Sequence, residues 1–256
     1  MSTPMHGWQG THLSESRFAF AATFEIVESL GGLGALSAAP VVPSLRSEAD
    51  LGFDVAIPGA WVTLYLQYKL SRRLVTGQAG QYYHFGQPYF RFYVKTDGTA
   101  NGTCQHNVLC ALEQRLAGSS GIVFYAAPIF TEPGELNGHM RARRVTDYTV
   151  FARPTQLGAV TLDTSHCYCY TSPGDVTPFS VPGEPVASSF SRVRAALVEE
   201  ASEPSLLSSH LRTQYEVLRA SADMDLDAYQ SPRDLAAASA MLGLQAIVVL
   251  VSQTRL

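Results

Sequence analysis

The spacing of apolar positions changes period several times along this chain, and each change marks an element. In residues 17–30, "RFAFAATFEIVESL", Phe18, Ala21, Ala22, Glu25 and Glu28 recur at helical spacing, and "GGLG" closes the run. The spacing predicts a helix, followed by a Gly-, Ala- and Pro-rich connector over 31–51. Residues 53–57 and 61–70 predict two strands joined by a tight turn at "PGA". Residues 71–87 are polar and rich in Gly and Gln, the composition of a loop or a broken helix. "YFRFYVKT" (89–96) alternates as a third strand, "HNVLCALEQRLAG" (106–118) repeats as a helix, and "GIVFYAAPIF" (121–130) is a buried strand. Helix, three strands, helix, strand is the order of an α/β fold, a mixed sheet flanked by helices.

The second half patterns differently. Residues 148–158 and 165–173 predict strands, 174–189 a Pro/Gly-rich crossing loop, and 190–201, 205–221 and 232–252 helices. The expected organisation is an α/β core over 17–189 and a helical C-terminal region over 190–256.

Strand alternation turns the hairpin into chemistry. Val62, Leu64, Leu66 and Tyr68 share one face, and Trp61, Thr63, Tyr65, Gln67 and Lys69 the other. With the turn centred on Gly59-Ala60, Asp54 pairs with Tyr65 and lies diagonal to Gln67. Centred between Ala60 and Trp61, the turn sets Asp54 opposite Gln67. In both registers Asp54, Gln67 and Lys69 fall on one face within roughly 5–8 Å. A carboxylate and an amide oxygen are hard ligands suited to Mg²⁺, and a lysine can orient water or meet charge on a phosphate. Glu25, on the preceding helix, can bring a further carboxylate.

These residues resemble the PD-(D/E)XK nuclease superfamily, and within it Mrr-type restriction endonucleases. The resemblance rests on "TFEIVESLG", "GFDV" and "LYLQYK" and spans about residues 17–130. It implies a restriction-endonuclease-like fold in which Asp54 and Gln67 hold Mg²⁺ or Mn²⁺, Lys69 acts in catalysis and Glu25 assists the metal site. The run "SEADLGFD" only partly matches the family's approach to its Asp, the connector is long, and the segment after 130 matches nothing in the pattern.

Composition narrows the alternatives. Apolar residues make up 46% and charged residues 16%, with a net charge of −4. Such a chain is globular and carries no overall basic excess for nucleic acid, so contact with DNA falls to local patches. Arg72 and Arg73 follow Lys69, and "HMRARR" (139–144) reads as a loop carrying Arg141, Arg143 and Arg144; these five are the expected phosphate contacts. Four cysteines suit a reducing cytosol, and no N-terminal signal pattern is seen. In "HCYC" (166–169) only Cys167 and Cys169 share a strand face, which reads as buried thiols rather than zinc ligands. Neither a Gly-x-Ser-x-Gly elbow nor a phosphate-binding Gly-x-x-x-x-Gly-Lys loop occurs.

The expectation is a cytoplasmic, metal-dependent endonuclease acting on DNA, in restriction or antiphage defence and activated by a protein partner. The alternative is a non-catalytic assembly subunit on a nuclease-like scaffold. There the uncharged stretch 235–254 forms an oligomer or partner interface; its Ala, Ser, Gln and Thr content disfavours a membrane span.

Overall fold

The computed structural model describes residues 8–9, 11–32, 36, 39–44, 51–59, 62–75, 84–94, 104–117, 121–158, 160, 166–179 and 185–201. Two sheets carry the fold. The first is mixed, in the order β2 (Val55–Pro58), β3 (Thr63–Tyr68), β6 (Gly121–Pro128), β7 (Thr149–Ala152). Its central pair, β3 and β6, is parallel, and its outer pairs are antiparallel. The second is antiparallel, in the order β1 (Trp8–Gln9), β4 (Arg72–Leu74), β5 (Tyr89–Val94), β8 (His166–Tyr170), β9 (Asp175–Phe179), β10 (Val186–Ala187).

A strand with parallel and antiparallel neighbours sits deep, and all six residues of β3 are buried. Leu64, Leu66 and Tyr68 enter one apolar cluster with Phe18, Ala22 and Ile26 of helix α1 (Glu15–Ser29) and with Phe190, Val193 and Leu197 of helix α5 (Phe190–Ala201). Tyr65 enters the other, with Leu109, Leu112 and Leu116 of helix α2 (Gln105–Leu116) and with Phe92, Tyr168 and Tyr170 of the second sheet. The mixed sheet is thus sandwiched between a helical layer and a layer made of α2 and the antiparallel sheet. Truncating a side chain such as Leu66 at its centre costs about 2–5 kcal/mol.

Several expectations meet corrections. The third strand forms, but it hydrogen-bonds in the antiparallel sheet and not beside β3. The chain leaves the mixed sheet at Lys69 and starts β4 within three residues, inside the stretch read as loop. The crossing loop 174–189 contains β9 and β10; its Pro178 and Pro185 hid the alternation. Of "HMRARR", the first part ends helix α3 (Pro133–Arg141), with Pro133 in its first turn and the Glu135 side chain accepting from the backbone N–H of Glu132 at 3.1 Å. The run 148–158 splits into β7 and the short helix α4 (Pro154–Leu157). The expected helices over 205–221 and 232–252, and with them the C-terminal interface, lie outside the described residues. Among the described residues no helix is long and apolar enough to cross a membrane.

Candidate active site

Two glycines set the hairpin. Gly52 has φ +80°, and a Cβ there would meet the backbone N of Leu109 and the side chain of Val108 at 3.2 Å, so the chain passes tightly under α2 just before Asp54. A Cβ on Gly59 would lie 2.7 Å from the Val62 carbonyl oxygen, which accepts the Gly59 N–H at 3.0 Å to close the turn. Val55 pairs with Leu66, and Asp54 N–H donates to Leu66 O at 2.9 Å. Of the two registers open to the sequence, this is the one that sets Asp54 across from Gln67.

The result is a directed chain of hydrogen bonds. Lys69 Nζ donates to Gln105 Oε1 at 3.3 Å, and Gln105 Nε2 donates to Gln67 Oε1 at 3.2 Å. Gln67 Nε2 in turn donates to both carboxylate oxygens of Asp54, each at 2.8 Å. The backbone N–H of Tyr68 adds a 2.6 Å bond to Asp54 Oδ2. An ammonium only donates and a carboxylate only accepts, so the two end groups dictate the orientation of both amides. Gln67 is buried, whereas Asp54, Lys69 and Gln105 are half-buried. Solvent therefore reaches both charged ends and Gln105, but not Gln67.

The hydroxyl of Tyr68 meets Thr23 of α1 at 2.8 Å. Alongside α1 a cleft of about 520 Å³ runs from Glu15 and Ser16 past Phe20, Thr23 and Phe24 to Asp54, with Pro40, Val42 and Pro43 as the facing wall. Phe20 is 65% exposed and Val42 72%.

The oxygens around Gln67 suit a hard cation. Asp54 Oδ1 and Oδ2 and the Tyr68 carbonyl all accept from the same nitrogen, Gln67 Nε2, the last at 3.4 Å. They converge on the position that Gln67 Nε2 fills, and Gln67 Oε1 faces Gln105, so Gln67 has to shift its side chain and turn its amide over to make room for a cation and add its own oxygen. Among the described residues no three His, Cys, Asp or Glu side chains group around a metal position, and Asp54 is the acidic member of the hydrogen-bonded set.

Glu25 is engaged elsewhere. Its carboxylate accepts from Val145 N–H at 2.8 Å, Thr146 N–H at 2.9 Å and Thr146 Oγ1 at 2.6 Å, capping the 3₁₀ turn Thr146–Tyr148. The arginines do not form one patch. Arg72 and Arg73 are exposed but alternate on a strand, so they point to opposite faces of the antiparallel sheet. Arg141, Arg143 and Arg144 are exposed at the end of α3; Arg143 lies 3.8 Å from Glu28, and Arg144 is 3.1 Å from Asp147.

Sequence reasoning missed Gln105, because it started the helix one residue later at His106. His106 itself is buried, with Nε2 donating to the Gly158 carbonyl at 2.7 Å and Nδ1 accepting from Tyr125 OH at 2.8 Å; the carbonyl partner fixes this tautomer. Burial, with the nearby charges of His166 and Lys69, holds His106 below the usual histidine range. Comparison with protein-family models, with curated proteins and with solved structures finds no match.

Proposed function

We propose that the protein is a metal-dependent nuclease of PD-(D/E)XK type, with a restriction-endonuclease-like core, that hydrolyses phosphodiester bonds in DNA. The observation that carries the reading is the single hydrogen-bonded set of Lys69, Gln105, Gln67 and Asp54 on one strand pair and one helix terminus. Asp54, the Tyr68 carbonyl and a turned Gln67 amide would hold Mg²⁺ or Mn²⁺. When bound, such an ion supplies Lewis-acid stabilisation of phosphate charge and a more acidic water. Lys69 holds its ammonium where negative charge builds on the phosphate in the transition state, and Gln105 fixes the direction of that ammonium. Arg72, Arg73, Arg141, Arg143 and Arg144, exposed on separate surfaces, stand as proposed backbone contacts individually and not as one patch. A cytoplasmic role in restriction or antiphage defence, with activation by a protein partner, completes the reading.

A second reading, a non-catalytic assembly subunit on the same scaffold, is favoured by one observation: the carboxylate of Glu25 is tied to residues 145–146, leaving Asp54 as the acidic member of the set. Plasmid cleavage decides between them. Purified protein with Mg²⁺ or Mn²⁺ should nick or cut plasmid DNA, EDTA should stop it, and Lys69→Ala should lack it. Absence of metal-dependent cutting by wild-type protein, alone and with its co-purifying partners, removes the nuclease reading.

A further inference from the structure

The outer face of the antiparallel sheet holds a pair of thiols that the proposed site does not use. Side chains two apart on a strand share a face, so Cys167 and Cys169 of β8 lie side by side, their Sγ atoms 3.8 Å apart. Both are free thiols, and their residues are 3% and 0% exposed. Across β5, Arg91 pairs with Cys169 and Tyr93 with Cys167, and the Arg91 guanidinium stands 4.7 Å from the centre of the Tyr93 ring. Leu74 and Tyr89 complete this small cluster, and the partly buried rings of Phe85, Tyr93 and Phe179 pack against it.

We propose that Cys167 and Cys169 form a redox-active dithiol that reacts with hydroperoxides and closes to an intrastrand disulfide. The two sulfurs are not equivalent. Either sulfur can donate in this contact; with Cys169 as the donor, its S–H, helped by the Arg91 charge, holds the Cys167 thiol below the usual range against the opposing effect of burial. The same bond and burial push Cys169 up. Cys167 is therefore the attacking sulfur, and it is also the one with residual exposure.

In the first step the Cys167 thiolate attacks one peroxide oxygen. The O–O bond breaks, hydroxide leaves and takes up a proton, and Cys167 becomes a sulfenic acid. In the second the Cys169 sulfur attacks the Cys167 sulfur, the S–O bond breaks, and the departing hydroxide takes the Cys169 proton. Two thiols and one hydrogen peroxide thus give one disulfide and two waters. Alternate strand positions lie about 6.6 Å apart. That is near the long end of the roughly 4.4–6.8 Å that a disulfide spans, so this one should reduce readily.

The test is thiol mapping of wild-type protein after graded hydrogen peroxide, by alkylation and mass spectrometry of the 166–170 peptide. Burial pushes the Cys110 thiol up to about 12, which makes it an internal control. The expected result is a Cys167–Cys169 disulfide, reversed by dithiothreitol, at peroxide concentrations roughly tenfold below those that modify Cys110 or Cys104. In Cys169→Ser, dimedone should capture a sulfenic acid at Cys167 that the wild-type protein does not retain. The proposal is overturned if Cys104 or Cys110 oxidises first, or if wild-type Cys167 goes on to sulfinic acid without a disulfide. The wild-type map decides this even where Cys169→Ser folds poorly, and it requires no nuclease activity.

Discussion

Two carboxylates of this protein make opposite use of their oxygens. Glu25 receives two backbone N–H groups and a hydroxyl held by the turn at 145–146, partners that cannot rotate away while the fold stands. Asp54 receives the Tyr68 backbone N–H and, on both oxygens, the amide of a side chain, and that amide can turn to offer an oxygen instead. The first arrangement is saturated and rigid, which suits a structural cap. The second is exchangeable, which suits a site that trades an internal donor for a ligand. Sequence gives both residues the same formal charge; only the identity of the donors separates them.

The sharpest way to break this contrast is to remove each end of the Asp54 chain and follow two readouts. Lys69→Ala and Asp54→Ala should lower plasmid cleavage by about 10³-fold or more. Their midpoints in urea should move less than that of Glu25→Ala. Near-wild-type cleavage in either variant would end the assignment. Glu25→Ala comes next in size, since it strands two buried N–H groups; it should cost roughly 2–6 kcal/mol of stability by denaturant unfolding. A loss below about 1 kcal/mol would show that Glu25 is not the cap described. Gln105→Ala should cut activity about tenfold while stability changes by no more than about 1 kcal/mol, since Gln105 is itself half-buried and water can take its place beside Gln67 Oε1. Equal loss of cleavage and stability would make Gln105 a structural residue.

The smallest expected effect is a pH dependence. The folded-state pKa of His106 lies below its ordinary 6.5, chiefly through burial. Its contribution to stability is therefore complete above about pH 6.5 and is lost as pH falls from there through the lowered value. His139 is lowered in the same direction by burial, so the comparison must isolate one residue. Melting temperatures of wild-type and His106→Phe protein should converge as pH falls below about 6.5, because the variant lacks the titrating ring. Parallel curves would remove His106 from the acid response.

The coarse mixed α/β architecture is legible in the sequence. The α1 period, the two hairpin strands and the buried strand β6 rest on local patterns that long apolar runs make unambiguous. Buried Phe18, Ala21, Ala22 and Glu25 share the face that helical spacing assigns to them. The partners of the third strand were not readable, because alternation states that a strand has two faces but not which edge it joins. The placement of Glu25 failed for a related reason. A helix period says that Glu25 points inward, yet its partners lie 120 residues away in a turn with no pattern of its own. In the site, the phase of Asp54, Gln67 and Lys69 was legible because strand geometry repeats every two residues. Gln105 was not, because contact between a helix terminus and a strand end is set by a connection of more than thirty residues.

The hairpin turn also bears on how such a chain can vary by inheritance. Gly59 and Val62 close the turn, and their spacing alone decides that Asp54 stands across from Gln67. An insertion or deletion of a single codon between them would move the carboxylate off its partner without altering one residue of the site. The length of this turn thus constrains the pairing of Asp54 as strictly as the side chains themselves do, and substitutions within it are easier to accommodate than a change of count.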